Sequence, residues 1–487
     1  MSIIFYHVFL LLYKTGIRLI APWNRKAKLW LEGRRGIFER MRVEIGRAPQ
    51  SDKRARQWRA NGPTGGSTRS DGWPGTGAAG AGAGGAGSSP VIWMHCASLG
   101  EFEQGRPVLE ELRRGAPECR IVLSFFSPSG YTTKKDYAGA DHVFYLPLDS
   151  PANARQFIDL VRPTLVLWVK YDYWYYFLAE LKKRKIPTLL VSGVFRPDQP
   201  FFRWYGRLHR YMLECFTHLF VQTEASRALL GKLRLTDQVS VSGDTRFDRV
   251  IAIAGAGEPL PSIAAFCGSR PVVVAGSTWA EDEEELDHYA NTHPELRFII
   301  APHEIGEDRI REVERLFRHS IRYSQLDGGQ PDGHPSQRGA TGPMGRGATG
   351  PMGGPAGSWP EPNVLIIDNI GMLSRLYRYA TIAYVGGGFG DDGVHNVLEA
   401  AVYGKPVVFG PVIEKYIEAV ELTESGGGVI IDSALEAEKV LDRLLANPEE
   451  CREIGEASLA YVHSKKGATE KIVRYITTNR LVTGNDK

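Results

Sequence analysis

The chain has 487 residues, 43% of them hydrophobic and 24% charged, with a formal net charge of +3. That is enough apolar material for two domains, and too little excess charge to point to a nucleic-acid partner. Five cysteines (Cys96, Cys119, Cys215, Cys267 and Cys451) are scattered without a CxxC pair, so neither a disulfide framework nor a zinc site is indicated, and a reducing compartment fits.

Residues 3–13 form an apolar and aromatic run interrupted only by His7, too short alone to span a bilayer. Extended to Trp23 the run is long enough, with Lys14 and Arg18 in or near the membrane. Basic residues follow it at Arg25, Lys26, Lys28, Arg34 and Arg35. This reverses the order of a signal peptide and keeps the bulk of the chain in the cytoplasm. An uncleaved anchor or interfacial helix over residues 1–24 is expected; a core helix of the first domain is the alternative.

Two segments have a composition that cannot bury a core. Residues 61–90 are mostly Gly, Ala and Ser, and residues 325–362 carry the octamer RGATGPMG twice in tandem. Both are expected to be disordered insertions without chemistry. The remainder alternates strand and helix. Strands are expected at 91–95, 121–125, 143–146, 165–169, 188–191, 219–222 and 239–242, then at 272–275, 298–301, 364–367, 381–385, 407–409 and 429–431. Continuous apolar runs of this kind suit parallel sheets covered by helices on both faces. Two doubly wound domains follow, 25–250 and 251–487, with ligands at the carboxyl ends of strands in a cleft between them.

The strand ends carry the polar residues. After the first strand comes Cys96-Ala97-Ser98-Leu99-Gly100-Glu101. Glu101 falls in the first turn of a helix, where the helix dipole favours a carboxylate and where a general base would also stand. Pro107 predicts that this helix kinks or restarts. Lys170-Tyr171-Asp172-Tyr173-Trp174 and residues 195–205 are dense in aromatic and basic side chains; they can be core or can line the acceptor side of the cleft. Arg246, in Gly243-Asp244-Thr245-Arg246, can offer a planar fork to a phosphate or carboxylate.

In the second half, Gly276-Ser277-Thr278 suits a phosphate or sugar contact, while the acids at 281–285 read as a solvated helix face. Pro302-His303 could place an imidazole on a base. Asp368-Asn369-Ile370-Gly371-Met372 ends another strand. The densest signal is YVGGGFGDDGVHNVLEAAVYGKPVVFGP at 384–411, a strand, a glycine turn and a short helix starting near His395-Asn396. Glycines there, Gly387 among them, would leave amides free for an anion such as a nucleotide phosphate. Asn396 and Glu399 share a helix face and read either as a capping box or as a pair for ribose hydroxyls.

With these pieces in view, the chain resembles the Kdo transferases of lipopolysaccharide synthesis, membrane-associated glycosyltransferases of the two-Rossmann-domain GT-B type that use CMP-Kdo. The matching motifs are HCASLGE (95–101), FSPSGY (126–131), YLPLDSP (145–151), VSGDTRFD (241–248), AGSTWAEDEE (275–284), IIAPHEI (299–305) and the glycine segment. The resemblance implies an inverting transfer without metal or cofactor, from CMP-Kdo to a lipid A precursor (lipid IVA) at the cytoplasmic face of the inner membrane. It makes Glu101 the proton acceptor and gives Asp172 and Arg246 supporting roles in the transition state. It assigns the CMP contacts to Pro302, His303, Ile370, Gly371, Met372, Asn396, Val397, Leu398 and Glu399, beside Ser277 and Gly387. This chain departs from many relatives at Lys170-Tyr171-Asp172, where they have Glu-Thr-Glu, and at Arg246, His303 and Met372, where Lys, Arg and Glu are common. A UDP-sugar transferase or epimerase, or a non-catalytic membrane-bound nucleotide binder, are the alternatives.

Overall fold

In a computed structural model, residues 3–46, 89–326, 361–391 and 393–482 are described. The insertions expected at 61–90 and 325–362 lie outside these residues except at their edges. The chain divides into two compact units, Met1–Ala252 with Lys465–Lys487, and Ile253–Ser464.

The first unit holds β1 (Val91–Cys96), β2 (Arg120–Phe125), β3 (His142–Tyr145), β4 (Leu165–Val169), β5 (Thr188–Gly193), β6 (His218–Val221) and β7 (Val239–Val241) in the order β3-β2-β1-β4-β5-β6-β7. All pairings are parallel. Because strand side chains alternate in direction, Val91 and Trp93 enter one core, and Ile92, Met94 and Cys96 enter the other. That two-sided burial is why these strands are apolar throughout.

The second unit holds β8 (Val272–Thr278), β9 (Arg297–Pro302), β10 (Ser320–Arg322), β11 (Val364–Ile366), β12 (Ile382–Val385), β13 (Val407–Phe409) and β14 (Gly428–Ile430), again all parallel, in the order β10-β11-β9-β8-β12-β13-β14. Every expected strand is present to within three residues at its ends. The exception is β10, three half-buried residues at a sheet edge, too short and too polar to show as an apolar run.

Nine helices matter below: α1 (Ile3–Ile20), α2 (Arg25–Arg34), α3 (Ile37–Gly46), α4 (Leu99–Gly115), α5 (Tyr175–Lys183), α6 (Arg207–Leu213), α7 (Ala280–Thr292), α8 (Leu398–Ala401) and α9 (Ala468–Thr478). Helix α4 runs on through Pro107, so the helix does not restart there. The sequence reading ran the second domain to 487, whereas α9 returns to the first unit. There Ile472 and Ile476 join the core formed by Phe102, Val108 and Leu112 of α4.

Helix α1 is not a core helix. A stripe of Tyr6, Leu10, Tyr13 and Ile17 packs on the first unit, while Ile4, Phe5, Phe9, Leu11, Leu12 and Leu19 face outward. It is the one described helix long and apolar enough, at 18 residues, to cross a membrane unaided. The Tyr6 hydroxyl donates to Asp149 Oδ2 at 2.6 Å, and the same carboxylate accepts the Tyr176 and Phe177 amides that open α5. Burial raises the Asp149 pKa to about 6, against the pull of these bonds.

Candidate functional site

In an open parallel sheet, ligands gather at the carboxyl ends of strands where the winding reverses. In the first sheet that point lies between β1 and β4, which are neighbours although two strands separate them in sequence. Glu101 follows β1 and Asp172 follows β4. At the carboxyl end of β4, Lys170 takes a positive φ of 55°, a conformation that non-glycine residues rarely keep without a reason.

Glu101 sits half-buried in the first turn of α4. Its Oε2 accepts the Ser98 amide at 2.8 Å and the Ser98 hydroxyl at 3.4 Å. Burial raises its pKa above the usual glutamate value, while the Ser98 and Ala97 amides and the Lys170 charge pull it back. Asp172 responds more strongly. Burial and then the Glu101 charge push its pKa up to about 7, and its Oδ2 is enclosed with no hydrogen-bond partner among the described residues. The backbone carbonyl of Asp172 accepts the Trp168 indole, which fixes the loop.

Arg246 is less available than its fork suggested. Its Nε donates to Asp244 Oδ2 at 2.8 Å, and Nη2 lies 2.7 Å from the same oxygen. The Tyr171 hydroxyl, raised first by burial, feels the charges of Arg196, Arg246, Asp244 and Glu101 together. The structure thus brings Glu101, Asp172 and Arg246 to one sheet end, with Lys170, Tyr171 and Asp244 as participants that sequence reasoning did not rank. Their signal was only adjacency to a strand end.

In the second sheet the winding reverses between β8 and β12. Gly276 and Ser277 lie on β8, and Gly386 and Gly387 follow β12. Two expectations need correction here. The acids at 281–285 are not all solvated, since Asp282 is 1% and Glu283 0% exposed. Asp282 accepts from the Gly387 amide (2.8 Å), the Trp279 amide (2.9 Å) and the Tyr384 hydroxyl (2.7 Å). Glu283 accepts from Thr278 at 2.8 Å and pairs with Arg309. A buried carboxylate surrounded by donors is the cheap way to keep a turn of bare amides rigid.

For the same reason the glycine amides are not all free for an anion. Gly386 donates to Gly276 O at 2.9 Å, and Gly387 is taken by Asp282. These glycines also serve close approach: a Cβ on Gly386 would lie 2.5 Å from Ser277 O, and one on Gly388 2.5 Å from the Gly410 amide nitrogen.

His303 itself is exposed, so a ring face stays open to a base. It stacks across Trp279 and His395, each at 4.6 Å between ring centroids; those two rings lie side by side, with Trp279 Nε1 donating to His395 Nε2 at 2.9 Å. Pro302 closes β9, and the His303 amide bonds Thr278 O at 2.9 Å, so the stack is anchored to β8.

Asn396 and Glu399 do not form a capping box. The Asn396 amide nitrogen donates to Glu399 Oε1 at 3.0 Å, and the following helix, α8, spans only four residues. Asn396 Oδ1 is enclosed without a partner among the described residues, as is Asn369 Oδ1 after β11. Val397 and Leu398 are buried, Met372 is buried with its sulfur accepting from Asn369, and Gly371 has φ +98°. Ile370 beside it is exposed. Glu399 lies near enough to the buried Tyr377 to raise its pKa, after burial itself.

Comparison with known proteins agrees with this arrangement. Residues 72–249 match the family model described as 3-deoxy-D-manno-octulosonic-acid transferase (kdotransferase). A 3-deoxy-D-manno-octulosonic acid transferase of Aquifex aeolicus is 26% identical over 373 residues, covering 74% of this chain and 88% of that protein. A bifunctional glycosyltransferase/methyltransferase of Fusobacterium nucleatum is 23% identical over 81% of this chain, which spans only 56% of that longer protein. Among solved structures, a UDP-GlcNAc 2-epimerase of Neisseria meningitidis superposes with a TM-score of 0.54 over 80% of this chain and 100% of its own, at 15% identity, a likeness of fold alone. Two seven-stranded parallel sheets of the GT-B class, joined to these matches, make the chain similar to the Kdo transferases over most of its length and support a glycosyltransferase of that family.

Proposed function

We propose that the protein transfers Kdo from CMP-Kdo to a tetraacylated lipid A precursor in lipopolysaccharide biosynthesis, with inversion and with Glu101 as general base. The observation that carries this is the Glu101 carboxyl itself. It is half-buried at the reversal point of the first sheet, its pKa is raised by burial, and both Ser98 bonds land on Oε2. A base of raised pKa is better matched to a hydroxyl proton than an ordinary carboxylate. Oε1 is the oxygen that would take that proton as the acceptor hydroxyl attacks the anomeric carbon of Kdo.

Asp172, with a pKa near 7, would be partly protonated at neutral pH and so able to donate to an oxygen of the substrate. The Arg246 guanidinium, held in place by Asp244, would face the sugar carboxylate. The second unit would hold the nucleotide. Asn396 Oδ1 is an acceptor waiting for a donor such as a ribose hydroxyl, and an enclosed acceptor left unsatisfied costs about 1–3 kcal/mol. Departure of CMP as a phosphate monoanion needs stabilising dipoles rather than an acid.

Helix α1 supports attachment at a membrane surface. Since its Tyr6, Leu10, Tyr13 and Ile17 stripe is engaged by the first unit, an interfacial position fits better than a free span. The basic run from Arg34 contributes less than its sequence suggests. Arg34 lies under Trp30, Phe126 and Tyr145 and donates to the carbonyls of Leu146, Trp30 and Phe126. Residues 47–59 of the basic stretch from Arg34 to Arg59 fall outside the described residues. We place the protein at the cytoplasmic face of the inner membrane.

The test is an assay with CMP-Kdo and the tetraacylated precursor, read by product mass. A mass increase of one or more Kdo units is expected. Consumption of a UDP-sugar instead, or no transfer from CMP-Kdo by folded protein, would refute the assignment.

A further inference from the structure

We propose that the turn between β5 and α6 is a second lipid contact, built to hold the first unit against an anionic bilayer surface beside α1. This rests on the membrane attachment proposed above and adds to it a site and a lipid preference. The turn presents Trp204 at 91% exposure and Tyr205 beside it, the two rings 5.6 Å apart. An indole left in water on a folded surface needs an explanation, and a headgroup layer, apolar on one side and wet on the other, is where this side chain is stable.

The turn is not loose. Gln199 and Phe202 donate to Arg196 O and Gln199 O, Arg203 to Pro200 O, and Gly206 to Arg203 O, each at 3.0–3.2 Å. Phe201 and Phe202 pack beneath it, and a Cβ on Gly206 would overlap the Pro200 carbonyl. Trp204 is therefore held out by a built scaffold. Around it Arg196, Arg203 and Arg207 are exposed, against the single acid Asp198, so residues 196–207 carry three positive charges and one negative, a net of +2.

The turn adjoins the anchor helix. Tyr175 of α5 packs its ring on Tyr6 of α1 at 6.0 Å and on Tyr211 of α6 at 5.7 Å. Helix α6 starts at the end of the turn and is tied back to it by Arg210 on Arg203 O at 3.3 Å. The outward apolar flank of α1 and the aromatic, basic turn are thus linked through one layer of side chains. An anionic lipid surface matches both parts, since it offers hydrocarbon to the flank and negative headgroups to the arginines. A second copy of the chain would have to supply both at once.

Sedimentation of the purified full chain with vesicles tests this, using phosphatidylglycerol mixed with phosphatidylethanolamine, and phosphatidylcholine alone as the neutral surface. Wild type should prefer the anionic vesicles. Trp204→Ala should weaken partitioning about tenfold on both surfaces. Arg203→Ala with Arg207→Ala should weaken it roughly thirtyfold on the anionic vesicles, from about one charge-lipid attraction per arginine, and leave the neutral surface unchanged. All the side chains removed are exposed, so thermal melting should not move. If wild type binds and every variant binds equally well, α1 alone attaches the protein and the second contact is refuted while the anchor stands. If wild type binds neither surface, both fall. If the variants change the oligomeric state in lipid-free sedimentation velocity instead of vesicle binding, the turn is a self-association surface and the lipid assignment is overturned.

Discussion

The two sheets reverse their winding in the same way, yet they furnish their reversal points with opposite chemistry. In the first unit the strand ends hold charged groups at the half-exposed edge: Glu101, Lys170, Asp172 and Arg246, with the pKa values of the two acids raised by burial. In the second unit the acids have been drawn inward. Asp282 and Glu283 are buried and committed to the turn of Gly387, to Trp279 and to Thr278. What remains at the edge is mainly neutral: glycine backbone, a stacked trio of aromatic rings and the enclosed oxygens of Asn396 and Asn369, with the Glu399 carboxylate held by Asn396. Titratable groups of tuned pKa suit proton transfer, and rigid neutral dipoles suit the holding of an anion. The contrast supports the proposal that reaction belongs to the first unit and binding to the second.

That division can be broken residue by residue. The largest effect is expected from Glu101→Gln, which keeps the Ser98 contacts in shape but removes the base. Turnover should fall by about two to four orders of magnitude while CMP affinity stays within about twofold. Calorimetric titration with CMP beside a transfer assay separates the two readouts.

Next comes Asp282→Ala, which strands the Gly387 and Trp279 amides and the Tyr384 hydroxyl. At about 1–3 kcal/mol for each orphaned donor, the second unit should lose upwards of about 3 kcal/mol and melt roughly 6–12 °C lower. CMP affinity should fall with it. Unchanged melting would show that the buried acid does not hold the turn.

A subtler change is Trp279→Phe, which retains a ring against His303 and deletes the donor to His395. CMP affinity should drop about fivefold, the value of one hydrogen bond, with kcat at saturating donor preserved.

The last prediction concerns the pH dependence of stability at Asp172. Its folded pKa is about 7 against an ordinary 3.8, so the folded state binds the proton more tightly than the unfolded chain. This contribution to stability is full below pH 3.8 and is lost as pH rises to about 7. Asp172→Asn should therefore flatten the decline in melting temperature across that window and leave acid stability alone. A decline of unchanged slope would contradict the burial of that carboxyl.

Much of this was legible in the residues. Strands buried on both faces show as runs such as LVLWV at β4, and a strand end followed by small or polar residues marks a reversal point. Glu101 and Gly387 were singled out that way, and Asp172 only by the resemblance. Other features depend on what a side chain meets, which spacing does not encode. Asp282 and Glu283 sit in a run that looks solvated, and only the proximity of β12 shows that they point inward. The glycine turn reads as a set of free amides until its partners are seen. Arg34 reads as part of a basic surface, although three aromatic rings cover it. Strand β10 is three residues long, and the return of α9 to the first unit is a matter of distant contacts.

The most direct test of Glu101 as the base is the pH dependence of kcat/KM for transfer from CMP-Kdo. A base acts when ionised, so the rate should rise with pH through the Glu101 pKa. Because burial raises that pKa, the midpoint of the acid limb should lie above the ordinary glutamate value of 4.5. In Glu101→Gln the limb should vanish from the residual activity. An acid limb that survives the substitution with its midpoint unmoved would contradict the role of Glu101 as the base.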